Sequence, residues 1–340
     1  MRVKILMAGF GHVGQGFAEL LLQKRTFLSS TFGLDVRVIG IVTGRRGAIV
    51  DPNGLRLDRV LKSVREGNGF EQSGYSVSQM SAPDLIKRLD FDVLTELTVT
   101  DLKNPQPATE HIRLALQKGR SVITANKGPI ALHLKELEAL AKKNDVALKY
   151  EGTVLSGTPL INLIQMHLAG AEILEIQGIV NGSTNYILTR MEEGLEYDDA
   201  VAEAKELGYL EADPTADVEG WDAVAKAMIL ARAIFGTEVG LEQVERKGIS
   251  TLRRADIQTA KEENKVWKLI ARVQKDGEIL HVSVRPEKLK DSHPLAAVKG
   301  AMNAVTVYTD CLGAVTITGP GAGGWETGFA VLNDLISIFR

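Results

Sequence analysis

The stretch "VKILMAGFGHVGQGFAELLLQKR" near the N-terminus constrains the fold more than any other. "VKILMAGF" is a continuous apolar run, the pattern of a strand buried on both faces of a parallel sheet. It leads directly into Gly9, Gly11 and Gly14, spaced G-x-G-x-x-G, and the residues that follow read as a helix. A strand that feeds a glycine turn opening a helix is the start of a β-α-β unit that receives a dinucleotide. Gly9 permits the tight turn, Gly11 lets the backbone approach a pyrophosphate, and Gly14 lets the helix pack close to the strand. The intervening Phe10, His12 and Val13 place backbone N–H groups and the positive end of the helix dipole at the phosphates. A tight structural turn is the alternative reading of the same glycines.

The alternation continues. "DVRVIGIVTG", "FDVLTELTV", "RSVITAN" and "VALKYEG" read as strands, and "SAPDLIKRL", "PATEHIRLALQKG" and "HLKELEALAKKN" as helices. Strands alternating with helices of this length imply α/β architecture, a Rossmann-like doubly wound parallel sheet over residues 1–150. Residues 51–80, rich in Gly, Ser and charge, read as an insertion between units. The second strand ends in "VTGRRG", where an NAD-preferring site usually carries an acid. Thr43, Arg45 and Arg46 stand there instead, and guanidinium groups suit a 2′-phosphate. NADP is therefore the favoured cofactor and NAD the alternative, unless the two arginines are simply solvated.

Beyond residue 151 the strict alternation stops. "AEILEIQGIVNGSTNYILTRME" reads as strand, polar loop and helix, and later segments give a helix followed by strands. This is a mixed α+β domain, expected over 151–318. "GPGAGG" and the amphipathic "WETGFAVLNDLISIF" form a terminal segment, 319–340.

The bulk numbers narrow the function classes. A net charge of −3 and 24% charged residues leave no basic excess for nucleic acid. No uninterrupted apolar run reaches membrane-spanning length. The N-terminus enters a strand at once, so no signal peptide is expected. The single cysteine, Cys311, excludes an intrachain disulfide, and a reduced cytoplasmic protein is the default.

One charge stands out. In "GYLEADPTADVEGWDAVAKAMILARAIFG" the helix-forming half is apolar from Ala223 to Ala231 except at Lys226, with Asp222 four residues earlier. Buried charges are costly unless paired, so this is either a structural ion pair or equipment for chemistry.

These motifs converge. "AGFGHVGQG", "VITANKGPIAL", "YEGTVLSGTPLI", "GIVNGSTNYIL", "GYLEADPTADVEGWDAVAKA" and "GPGAGG" occur in an order that resembles homoserine dehydrogenase, from Lys4 to the C-terminus. The likeness is to the short form, without a C-terminal ACT domain. It implies NAD(P)(H)-dependent interconversion of L-homoserine and L-aspartate 4-semialdehyde, within threonine and methionine biosynthesis. It makes Lys226 the proton donor and acceptor, oriented by Asp222 one turn away. It places Lys127 and Thr98 beside the nicotinamide, with Lys127 also orienting substrate. It assigns Glu211 to the substrate's amino group, with Asp217, Gly208, Asn181 and Ser183 in the same pocket. Here the backbone of "NGSTN" would cradle the substrate carboxylate, although a plain helix cap explains the same residues. Gly321 and Gly323 are expected at the cofactor, in a segment returning to the nucleotide domain. "EGTVLSGTP" resembles a monovalent-cation loop, with Glu151, Val154, Ser156 and Thr158 as ligands for sodium. A homodimer through the central domain is also implied, with strands between 278 and 318 as candidates.

Three rivals remain. Aspartate-semialdehyde dehydrogenase needs a nucleophilic cysteine, but Cys311 in "YTDCLGAV" reads as a small buried residue on a late strand. A nucleotide-binding sensor, or a dehydrogenase of another small hydroxy amino acid, would keep the glycine loop but change what the acids and lysines do.

Overall fold

The computed structural model describes residues 1–340, which form two compact units: 1–157 with 323–340, and 158–322. These divisions fall after the expected ones at 150 and 318. The segment after Tyr150 stays with the first unit because it is tied to its last helix: the Glu151 N–H donates to Asp334 Oδ2 (3.0 Å), and the Ser156 and Thr327 hydroxyls lie 2.8 Å apart.

In chain order the first unit contains β1 (Arg2–Ala8), α1 (His12–Gln23), α2 (Arg25–Phe32), β2 (Asp35–Thr43), β3 (Gly47–Val50), α3 (Leu57–Arg65), α4 (Ala82–Arg88), β4 (Val93–Glu96), α5 (Ala108–Gln117), β5 (Ser121–Thr124), α6 (Lys127–Lys143) and β6 (Leu148–Lys149). Its sheet runs β3-β2-β1-β4-β5-β6. Every neighbouring pair is parallel except β2 with β3, a hairpin that the alternation did not announce. The expected insertion at 51–80 thus follows an edge strand and itself carries α3.

Alternation along β1 explains the double winding. Val3, Ile5 and Met7 enter one apolar core with Phe10, Phe17 and Leu335, whereas Leu6 and Ala8 enter another with Leu85, Ile112 and Leu137. Successive strand side chains face opposite sides, so an unbroken apolar run needs helices on both. Each fully buried Leu, Ile or Phe contributes about 1.5–3 kcal/mol to that arrangement. The C-terminal helix α12 (Gly324–Phe339) packs against α1. Their approach is so close that a Cβ on Gly16 would collide with the carbonyl of Gly324.

The second unit contains β7 (Ile173–Ile179), α7 (Gly182–Glu192), α8 (Tyr197–Glu206), α9 (Thr215–Val218), α10 (Trp221–Phe235), β8 (Glu245–Arg246), α11 (Arg254–Glu262), β9 (Lys265–Asp276), β10 (Ile279–Lys290), β11 (Met302–Thr309) and β12 (Gly313–Pro320). Its sheet, β12-β11-β7-β9-β10-β8, is antiparallel apart from the short β10–β8 pair. Cys311 is neither buried nor on a strand. It lies exposed in the turn between β11 and β12, which Thr309 closes by accepting from the Leu312 N–H (2.9 Å) and donating to the Gly313 carbonyl (3.2 Å). No helix is long and apolar enough to cross a membrane.

Candidate functional site

The first candidate region is the glycine loop between β1 and α1. Gly9 has φ +97°, and its N–H donates to the Val42 carbonyl at 2.8 Å. A side chain there would be strained and would strike the Leu97 backbone. Gly11 is the N-cap of α1, without a side-chain cap, and open space surrounds the position its Cβ would take. A Cβ on Gly14 would meet the Gly9 carbonyl at 2.8 Å. The loop therefore leaves a bare, exposed helix N-terminus at Gly11 and His12, with Val13 half-buried, the arrangement that receives a phosphate. Phe10 differs from its neighbours: its ring is core, and only its carbonyl serves the loop, accepting from Gln15 Nε2 (3.3 Å) and Arg46 Nη1 (3.4 Å). Arg46 is held a second time, its N–H donating to Thr43 Oγ1 at 2.8 Å, and both Arg45 and Arg46 are exposed.

The carboxyl ends of β4 and β5 carry the next residues. Lys127 is the first residue of α6, and Asn126 caps that helix through its side-chain oxygen, which accepts from the Gly128 N–H. The Asn126 amide donates to the Thr98 carbonyl, to Thr98 Oγ1 and to the Val99 carbonyl, each at 3.3 Å. Thr98 in turn donates its hydroxyl to Glu96, which is completely buried. His111 Nδ1 lies 3.5 Å from the same Glu96 oxygen. Neither Glu96 nor His111 drew notice in the sequence. Their signal was only an acid inside the apolar strand "VLTEL" and a histidine on a helix face.

In the second unit the residues expected around the substrate do come together. Lys226 sits one turn into α10 and is 6% exposed. Its ammonium donates to the Val180 carbonyl at 2.6 Å and pairs with Asp222 Oδ2 at 2.8 Å. Asn181 Nδ2 donates to Asp222 Oδ2 at 3.0 Å and to Asp217 Oδ1 at 2.6 Å. Burial pushes the Asp217 carboxyl up. The hydrogen bond from Asn181 works against that rise, as does Lys226, while Asp222 and Glu211 add to it. Glu211 itself is exposed in the loop before α9. The cluster sets Asp222 against one ammonium with Asp217 beside it and Glu211 near enough to act on Asp217, so negative charge is in surplus.

Two expectations change in detail. "NGSTN" is the first turn of α7 rather than a loop ahead of it: Asn181 is the N-cap, accepting from the Thr184 N–H at 2.9 Å. Ser183 turns its hydroxyl to the Tyr209 carbonyl (2.6 Å), which pins the loop after α8 where Gly208 stands. Gly321 packs on the buried amide of Asn303 in the second unit, whereas Gly323 belongs to the first. In the "EGTVLSGTP" turn Glu151 is buried and Val154 follows a single 3-10 turn. Ser156 is bonded to Thr327, and Thr158 Oγ1 donates to the Pro320 carbonyl at 3.1 Å.

Comparison with known proteins identifies the family. Residues 9–151 match the family model for the homoserine dehydrogenase NAD binding domain, and residues 159–336 match the model for homoserine dehydrogenase. The NAD(+)-dependent homoserine dehydrogenase of Pseudomonas canavaninivorans is 41% identical, covering 99% of this chain and 96% of its own. The homoserine dehydrogenase of Methanocaldococcus jannaschii is 40% identical, with 99% and 98% covered. Among solved structures, a hyperthermophilic archaeal homoserine dehydrogenase in complex with NADPH superposes with a TM-score of 0.86 at 36% identity, over 99% of this chain and 98% of that one. With both parts of the chain matched and relatives aligned along nearly all of it, the chain belongs to the homoserine dehydrogenase family of NAD(P)-dependent oxidoreductases.

Proposed function

We propose that the chain interconverts L-homoserine and L-aspartate 4-semialdehyde with NADP(H), and that Lys226 exchanges the proton at the substrate's oxygen. The observation that carries this reading is the acid–lysine cluster. A structural ion pair needs one carboxylate for Lys226, and Asp222 provides it at 2.8 Å. The further acids Asp217 and Glu211 give a surplus that a substrate α-ammonium would neutralise.

The glycine loop fits a dinucleotide, because the space at Gly11 is open and the head of α1 carries no side-chain cap. The bound nicotinamide supplies the hydride in reduction and accepts it in oxidation. The chain's own residues do the rest. As the aldehyde carbon is reduced, negative charge grows on its oxygen, and a Lys226 N–H donates a proton there. In the reverse direction Lys226 takes the hydroxyl proton. Asp222 and the Val180 carbonyl hold the ammonium in place. Glu211 and Asp217 grip the α-ammonium, and Gly208 and Ser183 shape the pocket wall. Lys127 orients substrate, Thr98 borders the nicotinamide, and Gly321 and Gly323 serve the cofactor.

The preference for NADP rests on Arg46, anchored on the Phe10 carbonyl and Thr43, with Arg45 beside it. The structure holds no group of three or more His, Cys, Asp or Glu suited to a metal ion. A monovalent cation at Glu151, Val154, Ser156 and Thr158 would therefore depend on carbonyl oxygens beside one carboxylate. A homodimer belongs to the same reading, and light scattering after size exclusion tests it. The product homoserine would serve threonine and methionine synthesis.

The deciding assay follows NADPH loss with L-aspartate 4-semialdehyde, with NADH in parallel and Lys226→Ala as control. Turnover that forms homoserine and disappears in the variant supports the reading. No turnover from protein that still binds NADPH overturns it.

A further inference from the structure

Asn181 is buried, and its side chain is used completely. Its two amide hydrogens go to different carboxylates, Asp217 Oδ1 at 2.6 Å and Asp222 Oδ2 at 3.0 Å. Its oxygen accepts from the Thr184 N–H at 2.9 Å and from Thr184 Oγ1 at 3.0 Å. This fixes the amide's orientation. A flip would turn its oxygen toward two carboxylates and its hydrogens toward the Thr184 N–H. The same Asp222 oxygen also receives Lys226 Nζ at 2.8 Å, so the clamp and the ammonium meet on one atom.

Two carboxylates at such close quarters ordinarily share a proton, because like charges in a half-buried site resist joint ionisation. An amide between them changes the outcome. It can only donate to both, and each of its hydrogen bonds is strongest to an ionised acceptor. From this geometry we infer that Asn181 is a positioning residue that keeps Asp217 and Asp222 as two separate, unprotonated acceptors, preserving the pocket's negative charge for a substrate α-ammonium. The inference rests on the function proposed above.

The groups facing Asp217 are few. Asn181 faces it from the head of α7, Asp222 and Lys226 from α10, and Glu211 from the loop before α9. Burial raises the Asp217 carboxyl most, and the Asn181 hydrogen bond is the largest influence opposing it. Without the amide, a proton should settle on Asp217 at a higher pH, and the substrate ammonium should lose a partner. The loss should appear in KM and deepen as pH falls.

Removing the whole side chain would also remove the cap of α7. Asn181→Ser and Asn181→Asp avoid that, because Ser and Asp are both good N-caps. Neither carries the two N–H donors. The test measures kcat and KM for L-aspartate 4-semialdehyde from pH 5 to 8 in wild type and both variants. In both variants the ratio of variant to wild-type kcat/KM is expected to fall about tenfold towards the acid end, chiefly through KM, as the acid limb moves up by about one pH unit. Asn181→Asp, which adds a further acid to the cluster, is expected to fall further. A second readout needs no turnover: the 13Cγ resonance of Asp217, assigned through Asp217→Asn, should titrate at higher pH in Asn181→Ser than in wild type. A pH-independent activity ratio, or an unmoved Asp217 titration, overturns the inference. If the resonance moves while the wild type turns nothing over, the clamp stands and the functional reading falls instead.

Discussion

The glycine loop and the acid–lysine cluster solve opposite problems with opposite materials. The loop is a site made of backbone. It works by having no side chains at Gly9, Gly11 and Gly14, and its positive character comes from the uncapped head of α1. The cluster is made of side chains from separate elements: Asn181 from the head of α7, Asp217 from α9, Asp222 and Lys226 from α10. The first is local in sequence and rigid by exclusion, and the second holds its charges by mutual hydrogen bonding. Mutations should therefore act differently on them, through added atoms at the loop and through removed atoms at the cluster.

The largest effect is expected at the cluster. Lys226→Ala removes the only cation among three carboxylates, and kcat should fall by about 10³-fold or more. NADPH binding should stay within a few-fold of wild type. A comparable loss of both would merge the two regions into one structural unit and break the comparison. At the loop, Gly9→Ala should weaken NADPH binding by about 10²-fold, because φ +97° and the Leu97 carbonyl leave no room for a Cβ. Its melting temperature should fall too, since strain at such a position costs about 1–3 kcal/mol. Isothermal titration and thermal unfolding separate those two losses. A variant with wild-type affinity would show that the loop moves freely enough to make its geometry irrelevant.

The same contrast decides what could be read from residues alone. The loop was legible because its whole logic lies within a few consecutive positions, and the strands and helices around it follow from period and length. The β2–β3 hairpin was not legible, since an antiparallel partner beyond Arg46 interrupts the β-α alternation with no change in composition. The cluster was half legible. Lys226 and Asp222 share a helix face, and their spacing declares the pair. Asn181 lies 36 residues before Asp217 and 41 before Asp222, and only the packing of α7, α9 and α10 reveals that its amide holds both acids. The cradle expected there is one of backbone N–H groups, and the Asn181 side chain is committed separately, to the protein's own carboxylates. Glu96 with His111 went unread, and Cys311 was placed buried on a strand, for the same reason: strand burial and turn position depend on neighbours remote in the chain.

A smaller effect tests the loop's selectivity. Arg46→Ala removes the guanidinium held against the Phe10 carbonyl at 3.4 Å. If that group meets a 2′-phosphate, kcat/KM with NADPH should drop about tenfold, in line with the loss of one charge-assisted hydrogen bond, while that with NADH stays within about two-fold. Equal losses with both cofactors would mean that Arg46 only braces the loop.

The smallest expected effect concerns stability and has an unusual sign. Burial raises the Asp217 carboxyl above its ordinary value. A carboxyl raised on folding contributes stability below its unfolded pKa, about 3.9, and that contribution is lost as pH rises through the folded value. At neutral pH the ionised Asp217 is therefore a cost to the native state. Asp217→Asn should remove that cost while keeping an acceptor for Asn181 and gaining a donor toward Asp222. The variant should melt at or slightly above the wild-type temperature at pH 7, and the difference should shrink towards pH 4. Activity should fall at the same time, since the pocket loses a charge. Thermal unfolding across that range, run beside the assay, decides the matter. A variant that melts several degrees lower at pH 7 would mean that the cluster is built for stability rather than for charge.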